Sequence, residues 1–291
     1  MKPAPFEYHT PGSVEEAVGL LNQYGEDAKI LAGGQSLVPM MNFRLVRPKH
    51  LLDINHIPNL SYIKENGGKL MIGGLTRHRM LEFSPLIREK YGLLLEAVLL
   101  IGHPAIRTRG TIGGSIVHAD PTAELPALLV ALDGEVQVTG PNGKRSIGWR
   151  DFFVTYFTTT VEPTEMCTEV VLPMPSEKAG WAFEEFAHRH GDFGIVGVAV
   201  VIEADAKNRC TQARLAIAGG APTPMRATAA EEFLKGKELT PQVFSEAGQK
   251  VAGEVEPDSD LHATADYRRH LAAVMTERAL TRAVERLRGG K

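Results

Sequence analysis

The stretch Ile30-Leu31-Ala32-Gly33-Gly34-Gln35-Ser36-Leu37 carries a short apolar run directly into a glycine pair that ends near a serine. Thr111-Ile112-Gly113-Gly114-Ser115 repeats the pattern about eighty residues later. Glycine reaches backbone angles closed to other residues and leaves room for a ligand against the main chain. Successive N–H groups in such a turn can converge on an anion, and a following helix start adds partial positive charge. Ser36 and Ser115 each add a hydroxyl at the rim, and Gln35 an amide able to meet a carbonyl or phosphate. One such turn is ordinarily a plain loop. Two suggest two loops on one ligand, for which a bridging diphosphate is the natural candidate. Neither turn is a known nucleotide fingerprint. The chain has no G-x-x-x-x-G-K-[ST] and no G-x-G-x-x-G after a strand, which argues against a P-loop and a Rossmann site.

Outward from the first turn, Ala28–Ala32 reads as a short buried strand and Leu37–Met41 as a helical or turn-like segment. Upstream, Ser13 and Glu16 make a capping box for a helix that ends near Tyr24-Gly25. Downstream, His50–Ile54 is a strand, and 60–64 with 69–74 form a hairpin through Asn66-Gly67-Gly68. Helices are expected over 76–83, 86–101 and 125–132, and a second hairpin pairs 135–139 with 144–148. A strand at 169–172 is closed by Pro173 and Pro175. Composition changes at 173–180, so the predicted domains are 1–176 and 177–291. Three antiparallel strands follow, at 181–188, 194–204 and 212–219, and then helices at 227–234, 241–251 and 266–287. The last helix carries many Arg/Glu pairs at helical spacing, which reads as a solvated face.

The 291 residues favour two domains. With 43% hydrophobic and 23% charged residues, the composition is that of a soluble globular protein. A net charge of -3 excludes no partner, but no basic block with interleaved aromatics points to nucleic acid. The most apolar segments, 93–101 and 195–202, are too short to span a bilayer, and the N-terminus has no apolar signal core. The expectation is a cytoplasmic protein. Cys167 and Cys210 read as reduced buried thiols; two cysteines do not hold an iron–sulfur cluster, which usually needs four.

Other chemistry is sparse. No H-x-x-x-H or C-x-x-C spacing marks a metal site, and no G-x-S-x-G marks a nucleophile elbow. Asp120 and Glu124 follow the second turn in Ser115–Leu129, where Asp120 also suits a helix N-cap. Phe193 in such a context is ordinarily a core aromatic, and Lys29 a surface charge.

Taken together, residues 29–55, 106–136 and 267–284 make the pattern specific. The chain resembles the FAD-binding medium subunit of molybdenum hydroxylases, of the carbon monoxide dehydrogenase medium-chain type, related to the flavin domain of xanthine dehydrogenase. The likeness covers essentially the whole chain. It implies an α+β FAD-binding domain of the p-cresol methylhydroxylase and vanillyl-alcohol oxidase type, with two subdomains gripping FAD. A C-terminal domain of three antiparallel strands with helices would close over the flavin.

The resemblance implies two pyrophosphate loops, Ala32-Gly33-Gly34-Gln35-Ser36 and Thr111-Ile112-Gly113-Gly114-Ser115. Lys29 matches a basic residue beside the first. Ile101 matches an apolar FAD contact, Glu124 an acidic flavin contact with Asp120 near it, and Phe193 an aromatic against the isoalloxazine, where tyrosine is expected. Residues 165–168, with Cys167, align loosely with a further contact. The implied role is an electron-transfer subunit of a heterotrimer. Electrons would come from a molybdopterin large subunit through [2Fe–2S] clusters in a small subunit. FAD here would pass them to quinone, NAD, oxygen or another acceptor. No residue is assigned as a catalytic acid or base. A free-standing FAD oxidoreductase and a non-redox nucleotide-binding module are the alternative readings.

Overall fold

The first parallel sheet follows from the crossover that the capping box starts. Helix α1 (Val14–Tyr24) begins where Ser13 accepts the Glu16 N–H at 3.1 Å, while the Glu16 carboxylate reaches back to the Gly12 N–H at 2.7 Å. It ends at Gly25, whose φ is +53°. In this computed structural model, which describes residues 2–174 and 176–289, α1 links β1 (Glu7–His9) to β2 (Ala28–Leu31). Helix α2 (Leu37–Asn42) links β2 to β3 (His50–Asp53). The three strands are parallel in the order β1-β3-β2, as such crossovers require. The first glycine loop leaves the C-terminal end of β2.

A second sheet is antiparallel, with β4 (Ile63–Asn66), β5 (Lys69–Gly73), β6 (Glu135–Gly140) and β7 (Gly143–Gly148). The β4–β5 turn is two glycines, Gly67 and Gly68, both at positive φ, the geometry that matches strand twist in a two-residue hairpin. A small hairpin, β8 (Phe153–Thr155) and β9 (Thr158–Thr159), precedes β10 (Met166–Pro173), which inserts at the centre to give the order β4-β5-β10-β6-β7. Pro175, read as part of the strand's closure, lies outside the described residues.

Between β5 and β6 run α3 (His78–Phe83), α4 (Pro85–Lys90), α5 (Gly92–Leu100), α6 (Pro104–Arg109), α7 (Ile112–His118) and α8 (Glu124–Ala131). The single helix expected over 86–101 is two, broken at buried Tyr91 with φ -126° and ψ 50°. At the break, a Cβ on Gly92 would lie 2.1 Å from the Trp181 ring, so the glycine lets the next sheet approach α5. A short α9 (Trp149–Phe152) follows β7.

The C-terminal sheet has four antiparallel strands, not three: β11 (Gly180–Phe186), β12 (Val196–Ala204), β13 (Cys210–Ala218) and β14 (Met225–Arg226). Two residues are too few to show strand alternation. Pairing fixes β14, with Ala216 opposite Arg226, and so does Arg226 bonding Asp133 at 2.8 Å and the Val130 carbonyl at 2.9 Å. Strand β12 is buried on both faces. Val196, Val198, Val200 and Ile202 join the core under α10 (Thr228–Leu234), α11 (Pro241–Glu254) and α12 (Ala265–Leu287). Ala199 and Val201 join the core built from α5, α8 and the second sheet.

The charge on α12 is not only a solvated face. Arg282 and Arg286 both reach Glu96 of α5 at 2.5 Å, Arg282 also pairs with Glu184, and Arg286 stacks 3.9 Å from the Trp181 ring. Among the described residues, no helix is long and apolar enough to cross a membrane.

Candidate flavin site

The two glycine loops meet. A Cβ on Gly33 would stand 2.4 Å from the Arg109 carbonyl oxygen and 2.8 Å from the Gly110 Cα, just before the second loop. Gly33 therefore permits loop-to-loop approach. Gly34 lies at φ +73°, where only glycine is unstrained.

A polar network holds the junction. The Asn55 amide, just beyond β3, donates to the Ala32 carbonyl at 2.9 Å and to Asp53. Arg77 donates both to Asn55 Oδ1 and to the Arg109 carbonyl, so it links the second loop, through Asn55, to the first. Asp53 also accepts the Asn55 N–H at 2.9 Å and the Tyr8 hydroxyl. Burial opposes the Asp53 charge, but these hydrogen bonds outweigh it and hold the carboxyl below its ordinary value. Burial, with Arg109 nearby, pushes Arg77 below the usual guanidinium value.

The loops are not equivalent. Main-chain N–H groups of residues 33–37 donate to no acceptor among the described residues. Ser36 makes no capping bond, and the Gln35 amide folds back onto the Gly33 carbonyl at 3.1 Å. Leu31, Gly33, Gly34, Gln35, Val38, Pro39 and Arg109 line a hollow of about 350 Å³ here, Arg109 being the charged residue among them. In the second loop the donors are taken. The N–H groups of Ile112, Gly113 and Ser115 go to the carbonyls of Thr76, Gly74 and Thr111, each at 3.0 Å. The Gly114 N–H goes to Thr111 Oγ1 at 3.1 Å. A Cβ on Gly113 would lie 2.7 Å from the Gly74 carbonyl, so this glycine seats α7 on the second sheet. Gly114 is exposed and Ser115 half-buried.

A second cluster forms at the other end of α6, about 9 Å away by helix rise over six residues. Half-buried Ile101 ends α5, and its carbonyl accepts from Arg107 at 3.1 Å. A Cβ on Gly191 would lie 2.6 Å from the His103 ring, which places the β11–β12 loop against this turn. That loop carries Phe193, which is 74% exposed and so not a core aromatic. A Cβ on Gly194 would touch Glu185, and the Glu185 carboxyl interacts with that of Glu124 at the start of α8. Burial first, and then the negative charge of Asp120 for Glu124 or of Glu124 for Glu185, raise both carboxyls well above the usual range. Asp120 is not the helix N-cap. Its carboxylate binds the Thr122 N–H and hydroxyl at 2.9 Å each, and Ala123 occupies the cap position.

Of the remaining candidates, Lys29 is exposed on β2 and does not line the hollow. Cys167 sits in a bulge of β10, its carbonyl against Gly74, with its thiol pushed up to about 12 by burial. Sequence reasoning missed Arg109, Arg77 and Asn55. The basic run Arg107-Thr108-Arg109 before the second turn was the available signal for Arg109. Nothing local linked Asn55 to Arg77.

An extended dinucleotide fits this layout: free N–H groups and a guanidinium for phosphates at one end of α6, and an exposed aromatic ring with apolar and acidic neighbours at the other. Residues 4–175 match the family described as FAD binding domain in molybdopterin dehydrogenase. The chain belongs to that family. Residues 181–283 match the CO dehydrogenase flavoprotein C-terminal domain. This FAD-binding subunit is 41% identical to the 6-hydroxypseudooxynicotine dehydrogenase complex subunit alpha of Paenarthrobacter nicotinovorans, over 100% of this chain and 98% of that one. It superposes on carbon monoxide dehydrogenase from Hydrogenophaga pseudoflava with a TM-score of 0.95 and 42% identity, covering 98% and 99% of the two chains. Quinoline 2-oxidoreductase from Pseudomonas putida 86 follows, with a TM-score of 0.94, 33% identity, and 100% and 99% coverage. The chain is thus a flavoprotein subunit of the carbon monoxide and xanthine dehydrogenase type, and its cofactor is FAD.

Proposed function

We propose that this chain is the electron-transfer subunit of a heterotrimeric molybdenum hydroxylase, paired with a molybdopterin large subunit and a [2Fe–2S] small subunit. When bound, FAD would supply the redox chemistry that links the partner's clusters to an external acceptor such as quinone, NAD or oxygen. The carrying observation is the row of undonated N–H groups at residues 33–37 beside Arg109.

In this reading the N–H groups of the first loop and the Arg109 guanidinium hold the pyrophosphate. The second loop contributes Ser115 and the close approach allowed at Gly114. Ile101 and Phe193 would flank the isoalloxazine, with Glu124 as an acidic flavin contact. Residues 1–176 bind the cofactor, and 177–291 close over it through the loop bearing Phe193. Matches of two separate family models at 4–175 and 181–283 support that division. Relatives acting on carbon monoxide, a nicotine derivative and quinoline share this subunit's form, which supports placing substrate choice in the large partner.

The test is the absorption spectrum of the purified chain, with the released cofactor identified chromatographically. One FAD per chain is expected. A folded chain that stays colourless after incubation with FAD overturns the reading. Co-purification from the native source should bring an iron–sulfur subunit and a molybdopterin subunit. Isolation of the chain alone, fully active on a small substrate, would replace the heterotrimer with a free-standing FAD oxidoreductase.

A further inference from the structure

Away from the glycine loops, the start of the parallel sheet gathers three metal-ligating side chains. Glu7 and His9 are two residues apart on β1, so they share a face. The parallel register sets Glu7 beside His50 of β3. His9 Nε2 and His50 Nδ1 are 3.1 Å apart, Glu7 Oε2 is 3.3 Å from His50 Nδ1, and 3.9 Å from His9 Nε2. Zinc bonds of about 2.0–2.1 Å, in tetrahedral geometry, place neighbouring ligand atoms about 3.4 Å apart. Two of the three separations lie within 0.3 Å of that value, and the third is wider by a rotation open to Glu7, whose side chain is 72% exposed.

The imidazoles are held for this. Tyr24, at the end of α1, stacks on His50 with centroids 3.6 Å apart and planes 11° apart, and its ring lies 5.3 Å from that of His9. The histidine side chains are mostly covered, at 21% and 16% exposure, while the Glu7 side opens to solvent and allows an ion to enter. Two nitrogens and one carboxylate oxygen suit a borderline transition ion over magnesium or calcium, which take oxygen ligands. Two of the ligands share β1 and the third comes from β3, 41 residues beyond His9.

We propose that Glu7, His9 and His50 bind one zinc-class divalent ion, with water or an outside ligand in the open position. The ion would cross-link the N-terminal strand to β3. The site lies at the opposite end of β3 from the first glycine loop.

Calorimetric titration of the chelator-treated full chain with Zn²⁺ alone tests this. One equivalent should bind, with a rise in melting temperature. The double variant His9→Gln/His50→Asn should weaken binding at least about tenfold with unchanged circular dichroism. If that variant does not fold, Glu7→Gln, at an exposed side chain, should still weaken it measurably. No saturable binding by the parent chain, or undiminished binding in the folded double variant or in Glu7→Gln, overturns the proposal. Either result would leave the trio as a His–His–Glu hydrogen-bond cluster.

Discussion

Gly33 and Gly114 look interchangeable in the sequence, each the member of a Gly-Gly pair. The structure separates them. A methyl group at Gly33 meets main-chain atoms of Arg109 and Gly110, which cannot yield without moving the second loop. At Gly114 it meets only the Thr111 hydroxyl, a side chain that can turn away at the loss of a cap. Gly33→Ala should therefore abolish flavin retention, whereas Gly114→Ala should keep part of it. The ratio of flavin absorbance to protein in the two purified variants measures this, and equal retention refutes it. The acidic pair invites a second prediction. Burial keeps Glu124 and Glu185 protonated in the native state, at pH values where the unfolded chain, with ordinary carboxyls near 4.5, has released those protons. Unfolding then releases protons, so stability is greatest at low pH on this account and falls as pH rises toward neutrality. Glu185→Gln removes one titrating member of the pair. Its melting temperature should exceed the parent's by about 2 °C or more at pH 8 and converge with it at pH 5. A constant difference across that range would rule the linkage out.

At the scale of elements, the sequence marks the loops and not what holds them together. The strand into Gly33, the capping box of α1 and the Gly67-Gly68 hairpin all depend on neighbours within a few residues, and all are legible. The break at Tyr91 is not, and the close approach of Trp181 to Gly92 beside it comes from another sheet. Strand β14 is hidden because it is defined by partners in β13 and by Asp133. The same holds for the site. Asn55 lies 22 residues from Arg77, and Arg77 lies 32 from Arg109, so nothing periodic connects them. Their consequence is specific. Asn55→Ala removes the tie between the Ala32 carbonyl and Arg77, leaving a partly buried guanidinium with one fewer acceptor. A loss of about 1–2 kcal/mol of junction stability is expected, and with it about a 5- to 30-fold rise in the FAD dissociation constant. Arg77→Lys should fall between, because an ammonium cannot serve both acceptors in the guanidinium's fork geometry. Fluorescence titration of the apoprotein with FAD reads both. Parent-like affinity in Asn55→Ala would mean that packing at Gly33 alone fixes the loops.

At the scale of the molecule, one carboxylate draws the C-terminal sheet and last helix onto the cofactor-binding half. Glu96 on α5 accepts from Arg282 and Arg286 of α12 at 2.5 Å each, and from the Phe183 N–H of β11 at 3.0 Å. Helix α5 ends at Ile101, and β11 runs on to Glu185 and the Phe193 loop, so this clamp sits upstream of both flanks of the proposed flavin pocket. The two arginines are partly exposed, 39% and 24%, so solvent screens some of the loss when Glu96 is removed. The Phe183 N–H and the facing guanidinium groups would nonetheless be left short of an acceptor. Glu96→Ala should cost about 2 kcal/mol, a fall of about 4–8 °C in melting temperature. Glu96→Gln should recover part of this, since an amide oxygen can still accept from Phe183 while Arg286 loses its carboxylate partner and Arg282 keeps only Glu184. If the clamp also fixes the Phe193 loop, Glu96→Ala should expose the flavin and raise its fluorescence in the folded holoprotein below the melting range. A stability loss with unchanged fluorescence would confine Glu96 to holding α12. A stability loss together with raised fluorescence would tie the closure over the flavin to this one side chain.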